Sequence, residues 1–110
     1  MSVVTNILVT FSVGENYDDE HVAPPIIGIN QWLEAEGYGA LNDLVPHAGG
    51  RKCMECGVYG GAFNYLNTPA FMDAMRAQAW NDPKNVRVLV QGQNEDHFSV
   101  YTVGAVMLID

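Results

Sequence analysis

Two cysteines stand three positions apart in Cys53-Met54-Glu55-Cys56. Thiols at that spacing can share a zinc ion or close a redox disulfide. A structural zinc takes four ligands, and the chain has no second cysteine pair. His21, His47 and His97 are the other soft ligands, and His47, six positions before Cys53, is placed to contribute. A redox pair works best where a helix N-terminus stabilises the thiolate. Here the pair begins a predicted strand over residues 53–66, and strand side chains three apart point to opposite faces. Free thiols are the expectation that follows. A metal-stabilised module through Cys53, Cys56 and His47 is an alternative.

Aromatic side chains alternate with glycines in Tyr59-Gly60-Gly61-Ala62-Phe63-Asn64-Tyr65. Base-stacking strands of RNA-recognition modules need aromatics at the third, fifth and eighth places of their motif. With Tyr59 at the third place, Gly61 takes the fifth and Asn64 the eighth, so the match fails. Tyr59, Phe63 and Tyr65 share one face of the predicted strand. They either fill the core or line an open sheet face as a protein-binding surface.

The histidines suggest proton transfer. His21 follows an acidic run, His97 follows Asp96, and His47 precedes Ala48-Gly49-Gly50. Adjacent residues diverge, so sequence neighbours do not make a dyad. The chain contains no phosphate loop, dinucleotide fingerprint or metal-hydrolase motif. No residue is assigned a catalytic, cofactor-binding or metal-binding role.

The elements around these residues follow from periodicity. Residues 6–13 predict a strand with Ile7, Val9 and Phe11 on one face and Leu8, Thr10 and Ser12 on the other. Pro24-Pro25 suits a helix start, with Ile26, Ile29, Trp32 and Leu33 as its apolar stripe. Gly37 is placed to end that helix with positive φ. Residues 40–45 predict a short strand, and residues 46–52 a loop. Gly57, Gly60 and Gly61 predict a bulge in the strand that follows. Thr68-Pro69 reads as the cap and first residue of a second helix with Phe71, Met72, Met75 and Ala79 inside. Val86, Val88 and Val90 mark another strand, and residues 98–103 return antiparallel after a turn. Residues 105–109, wholly apolar, predict a final strand. The order is β-α-β-β-α-β-β in one α+β domain over residues 1–110. It predicts a two-layer sandwich, ferredoxin-like βαββαβ with an added C-terminal strand. One sheet face is then uncovered by helices, and must be polar or buried against another chain.

The net charge is −8, from 13 acids against 5 bases. Such a surface repels phosphate backbones, so no nucleic-acid partner is expected. The dense cluster Glu15, Asp18, Asp19 and Glu20 predicts a solvated acidic loop, and the acids are too sparse for a DNA mimic. No apolar run approaches the roughly 18–20 residues of a membrane span. No positive charge precedes the first apolar stretch, so a secretory signal is not expected. A cytoplasmic protein is the expectation.

The segment Glu55-Cys56-Gly57-Val58-Tyr59-Gly60-Gly61-Ala62-Phe63-Asn64-Tyr65-Leu66, with Trp80, Asp82-Pro83 and residues 86–93, resembles small uncharacterised proteins of actinobacteria and their bacteriophages. The resemblance covers under half of the chain. It implies a bacterial or phage cytosolic setting and transfers no catalytic residue. The element order is also similar to that of the dimeric α+β barrel superfamily, whose members pair sheets face to face and include isomerases, oxygenases and haem-related enzymes. Fold-level likeness says little about function.

The leading expectation is a non-enzymatic protein-binding or homo-oligomerising module, an accessory protein acting on a host or cellular protein. Tyr59, Phe63, Tyr65, Val106 and Leu108 are its expected protein-binding residues, and no cofactor is expected. A small dimeric α+β barrel enzyme using His47 or His97 for proton transfer is the alternative of a different class. If the core suffices without metal, a strong chelator should leave cooperative thermal melting unchanged. A structural zinc contributes about 10 kcal/mol or more, so its removal would abolish the transition.

Overall fold

Alternation of side chains governs the first strand, β1 (Val4–Phe11). Thr5, Ile7, Val9 and Phe11 are buried on one face, and Asn6, Leu8 and Thr10 are half-buried on the other. The computed structural model describes residues 3–15 and 23–104. Beyond β1 the chain tightens into a 3-10 turn, Val13–Glu15.

Helix α1 (Pro24–Ala35) starts on its proline pair, as predicted. Ile26, Ile29 and Leu33 are fully buried, and the half-buried Trp32 ring packs 6.2 Å from that of Phe71. Gly37 ends the helix at φ 81°. The Tyr38 N–H donates to the Leu33 carbonyl at 2.8 Å and the Gly37 N–H to that of Glu34 at 3.0 Å. This is the paired closure that a left-handed glycine permits.

Strand β2 is only Asn42–Asp43, shorter than the predicted 40–45. The 3-10 turn Val45–His47 limits it on one side, and Asn30 on α1 limits it on the other. The Asn30 amide accepts from Leu41 N–H at 2.8 Å and donates to the Leu41 carbonyl at 3.2 Å. Both backbone groups of Leu41 are thereby engaged away from the sheet.

Strand β3 is Gly57–Asn64 and begins four residues later than predicted. Its antiparallel register with β1 runs from Val4↔Asn64 to Phe11↔Gly57, where β1 itself ends. Residues 53–56 therefore stay outside the sheet. The expected bulge is absent, because the register passes through Gly57, Gly60 and Gly61 without a slip. Gly57 serves close approach instead. A β-carbon there would overlap the Phe11 ring, so the ring covers bare backbone across the strand pair.

Helix α2 (Thr68–Ala77) corrects the predicted cap. Asn67, not Thr68, is the N-cap, and its side chain accepts from Ala70 N–H at 3.2 Å. Asparagine caps at least as well as threonine, and it stands one residue earlier. Phe71, Met72 and Met75 are buried as predicted, whereas Ala79 lies past the helix end and is exposed.

Strands β4 (Arg87–Gly92) and β5 (Ser99–Thr102) form the antiparallel hairpin that the sequence predicts. The five strands make one sheet in the order β2-β3-β1-β4-β5, with every neighbouring pair antiparallel. The described residues thus form an α+β fold of one antiparallel sheet and two helices. Residues of both helices join Ile7, Val9, Phe63, Val86 and Val88 in one buried cluster. No helix among the described residues is long and apolar enough to cross a membrane. The predicted final strand, residues 105–109, lies outside the described residues.

Phe71 is 0 % exposed, so Phe71→Ala should cost about 3–5 kcal/mol in chemical denaturation. Gly57→Ala should cost about 1–3 kcal/mol by overpacking. In a Phe11→Ala background that cost should largely vanish. Equal costs in both backgrounds would show that the ring does not constrain Gly57.

Candidate functional site

Of the five residues expected to bind a partner, the three described ones, Tyr59, Phe63 and Tyr65, do not share one surface. Tyr59 and Phe63 point from β3 into the core, where Phe63 is 2 % exposed. The odd positions of β3 pair with Thr5, Ile7, Val9 and Phe11, on the helix-covered side. Burial and the nearby Asp43 carboxylate both push the Tyr59 hydroxyl pKa up, burial more. Tyr65 follows the end of β3 at φ 56° and is exposed. Positive φ breaks the alternation, so Tyr65 does not continue the face of Tyr59 and Phe63. Val106 and Leu108 lie outside the described residues.

Cys53 and Cys56 are free and exposed. They sit in the segment before β3 rather than within the strand expected for them. His47 is exposed in the 3-10 turn Val45–His47. His97 is exposed and its Nδ1 lies 2.8 Å from the Asp96 carboxylate, so these adjacent side chains meet where divergence was expected. Among the described residues, no three His, Cys, Asp or Glu side chains gather as a metal site would require. His21 and three of the four clustered acids, Asp18, Asp19 and Glu20, lie outside the described residues.

Glu15 departs from the expected solvated loop. Its side chain is 1 % exposed, and its carboxylate accepts from the backbone N–H groups of Asn81 and Asp82. The Asp82 carboxylate accepts from Ser12 Oγ at 3.2 Å and from Asn85 Nδ2 at 2.7 Å. The Asn85 bond is the main reason its pKa is lowered, with Ser12 and the Lys84 charge adding to it. These contacts tie the end of β1 to the segment between α2 and β4.

The side of the sheet that the described residues leave uncovered is mixed. Leu8, Leu89 and Val100 form one transverse row across β1, β4 and β5. Thr10, Arg87 and Thr102 flank it on one side and Asn6 and Gln91 on the other. Across β1, β4 and β5 the apolar strip is therefore one residue wide, while β3 adds Val58 and Ala62 to the flanking rows.

Its exposed end is the outer strand. Val103 N–H donates to the Val86 carbonyl at 3.2 Å, and these residues stand opposite in register. Hydrogen-bonded pairs alternate along an antiparallel ladder. Tyr101 and Ser99 therefore turn their backbone groups toward β4, and Val100 and Thr102 turn theirs outward. Val100 is 61 % exposed, and Phe98 and Tyr101 are also exposed. Residues 98–103, Phe-Ser-Val-Tyr-Thr-Val, contain no proline and no charge. Natural edge strands are usually protected by one of those. Between β5 and α2 lies a cleft of about 340 Å³ lined by Thr68, Pro69, Met72, Asp73, Arg76 and Tyr101. The Arg76 guanidinium crosses its end and donates to the Thr102 carbonyl at 3.2 Å.

Sequence reasoning places the antiparallel return of residues 98–103 but misses its exposure at the edge. The uncharged run itself is the available signal. Compared with protein-family models, curated proteins and solved structures, the chain has no match.

The lowered Asp82 pKa has a stability consequence with a definite sign. A carboxylate whose folded pKa lies below its unfolded value stabilises the fold above the unfolded value, near 4. That contribution is lost as pH falls through the folded value. Asp82→Asn should flatten the decline of melting temperature below about pH 4. An unchanged acid limb would assign the decline to other carboxylates.

Proposed function

We propose that the chain is a non-enzymatic protein-binding module that assembles with a second copy through the edge of β5. The observation that carries this reading is the outward-facing backbone of Val100 and Thr102 in an uncharged, proline-free strand. Strand addition to such an edge satisfies main-chain donors and acceptors, and alternate side chains add specificity. A second copy is a natural occupant, because an antiparallel edge is complementary to itself about a twofold axis. Pairing would also extend the Leu8–Leu89–Val100 row across the junction. The buried positions of Tyr59 and Phe63 favour this edge over an aromatic face as the interface.

Two further parts of the reading are proposals of the same kind. The strand order β2-β3-β1-β4, with a helix after β1 and another after β3, supports a ferredoxin-like layout to which β5 is added. A cytoplasmic setting in a bacterium or phage-infected cell, with docking on a cellular protein, rests on the sequence resemblance and on the acidic composition.

Sedimentation analysis from about 1 to about 100 micromolar tests the assembly, a range that brackets the affinities of ordinary small interfaces. The wild-type chain should associate, and Val100→Pro should be monomeric with a melting temperature close to that of wild type. Proline is tolerated on an edge strand where the missing N–H faces solvent. A wild-type monomer throughout, or a Val100→Pro variant that associates as wild type does, would overturn the reading.

A further inference from the structure

The two ends of β5 carry opposite charge. Three of the five basic residues, Arg76, Lys84 and Arg87, surround its Thr102 end. Arg76 reaches Thr102 from the helix-covered side. Arg87 stands opposite Thr102 in the ladder, on the uncovered side, and its guanidinium donates to the Lys84 carbonyl at 2.5 Å. The backbone of Pro83 and Lys84 lies directly against Gly104, whose N–H donates to the Pro83 carbonyl at 2.9 Å. Among the described residues, Asp82 and Asp73 are acids of this corner. Asp82 is turned toward Asn85 and Ser12, and Asp73 lines the cleft beside Arg76. At the Ser99 end the preceding turn brings Glu95 and Asp96 to the surface. Asp96 is 98 % exposed, and its carboxylate lies against the exposed His97 ring.

We propose that the basic corner of Arg76, Lys84 and Arg87 is the docking surface for the acidic turn of a second copy. This rests on the edge pairing proposed above and specifies its direction and register. Two β5 strands meeting antiparallel bring the cationic end of each against the anionic end of the other. A parallel meeting would place like charges together at both ends. With Val100 opposite Val100 of the second copy, the outward backbone groups of Thr102 face those of Phe98. The Thr102 carbonyl has two lone pairs and can hold both Arg76 and an incoming N–H. Carried past β5 into the flanking bends, the same register brings Asp96 of one chain toward Gly104 of the other, with Lys84 across that side-chain-free glycine and within reach of a long side chain. The twofold axis repeats each contact, and the assembly closes as a dimer. Two chains of net charge −8 repel at long range, and this local complementarity offsets the repulsion where they touch.

Reciprocal charge reversal tests the inference, read by sedimentation at low salt. Asp96→Lys alone sets a new cation against Lys84 of the second copy. Lys84→Glu alone sets a new anion against Asp96. Each clash occurs twice in the dimer. Each variant should dimerise roughly tenfold more weakly than wild type, the size expected when two exposed pairs turn from attraction to repulsion. An equimolar mixture of the two variants should form a heterodimer tighter than either variant alone. One of its two contacts is the wild-type arrangement lost on both sides and regained with signs exchanged, the introduced lysine meeting the introduced glutamate. The other remains Asp96 with Lys84. The differences should shrink in about 1 M salt, where screening acts over about 3 Å. Thermal melts confirm that both variants fold. If both variants dimerise like wild type while Val100→Pro stays monomeric, the edge pairing stands and this register falls. If the mixture is no tighter than the single variants, the docking surface is refuted. If the wild-type chain is monomeric, the edge reading and this inference both fail.

Discussion

The Phe11 ring lies over the bare backbone of Gly57, in a contact that joins the two central strands of the sheet. A β-carbon at position 57 would occupy the space of the ring. The pair is also the last in the β1–β3 ladder, where β1 ends. The same ring stacks on Tyr59 at 5.9 Å and meets Trp80 at 5.7 Å. Trp80 in turn donates its indole N–H to the Met75 carbonyl at 2.8 Å, a buried bond to the last turn of α2. One aromatic group therefore couples the sheet, the helix end and the segment leading to β4. Buried aromatics combine large apolar area with a polar handle, which suits them to such junctions.

A polar counterpart lies beside it. Glu15 is buried, yet both carboxylate oxygens accept backbone N–H groups, from Asn81 and Asp82. Burial of a carboxylate is tolerable only with such partners. The placement explains how an acidic residue in a chain of net charge −8 can serve the interior. It anchors the chain just before the turn Pro83–Asn85, which carries Lys84 and whose Pro83 carbonyl accepts from the Gly104 N–H past β5. The basic corner is thus a by-product of how the core is closed, not a separate structural element.

The consequence for function lies at the sheet's margins. One edge is β2, two residues long, and short edges offer little template for pairing. The other is β5, with exposed Val100 and uncharged neighbours. Among the described residues the sheet thus has one restricted edge and one open edge, and the proposed pairing uses the open one. The residues at the two ends of β5 differ in the sign of their charge. Main-chain hydrogen bonding supplies affinity at such an edge, and charge decides specificity.

Much of this was legible in the sequence. The alternation through Ile7, Val9 and Phe11, the proline pair before α1, Gly37 at its end and the hairpin after Val90 all express local rules of periodicity and capping. These depend on residues within a few positions, so spacing alone determines them. What only the tertiary structure decided depends on partners distant in sequence. Asn30 claims the backbone of Leu41 and shortens β2. The end of β1 determines where β3 begins, and so leaves Cys53 and Cys56 in a loop. Glycines that suggest a bulge instead admit Phe11 from another strand. The aromatic residues Tyr59 and Phe63 could face either side of a sheet, and alternation cannot say which side the helices cover. The charges at the two ends of β5 come from α2, from the turn before β4 and from the hairpin. Local pattern has no access to that gathering, because folding alone brings Arg76, Lys84 and Arg87 to one end of a single strand.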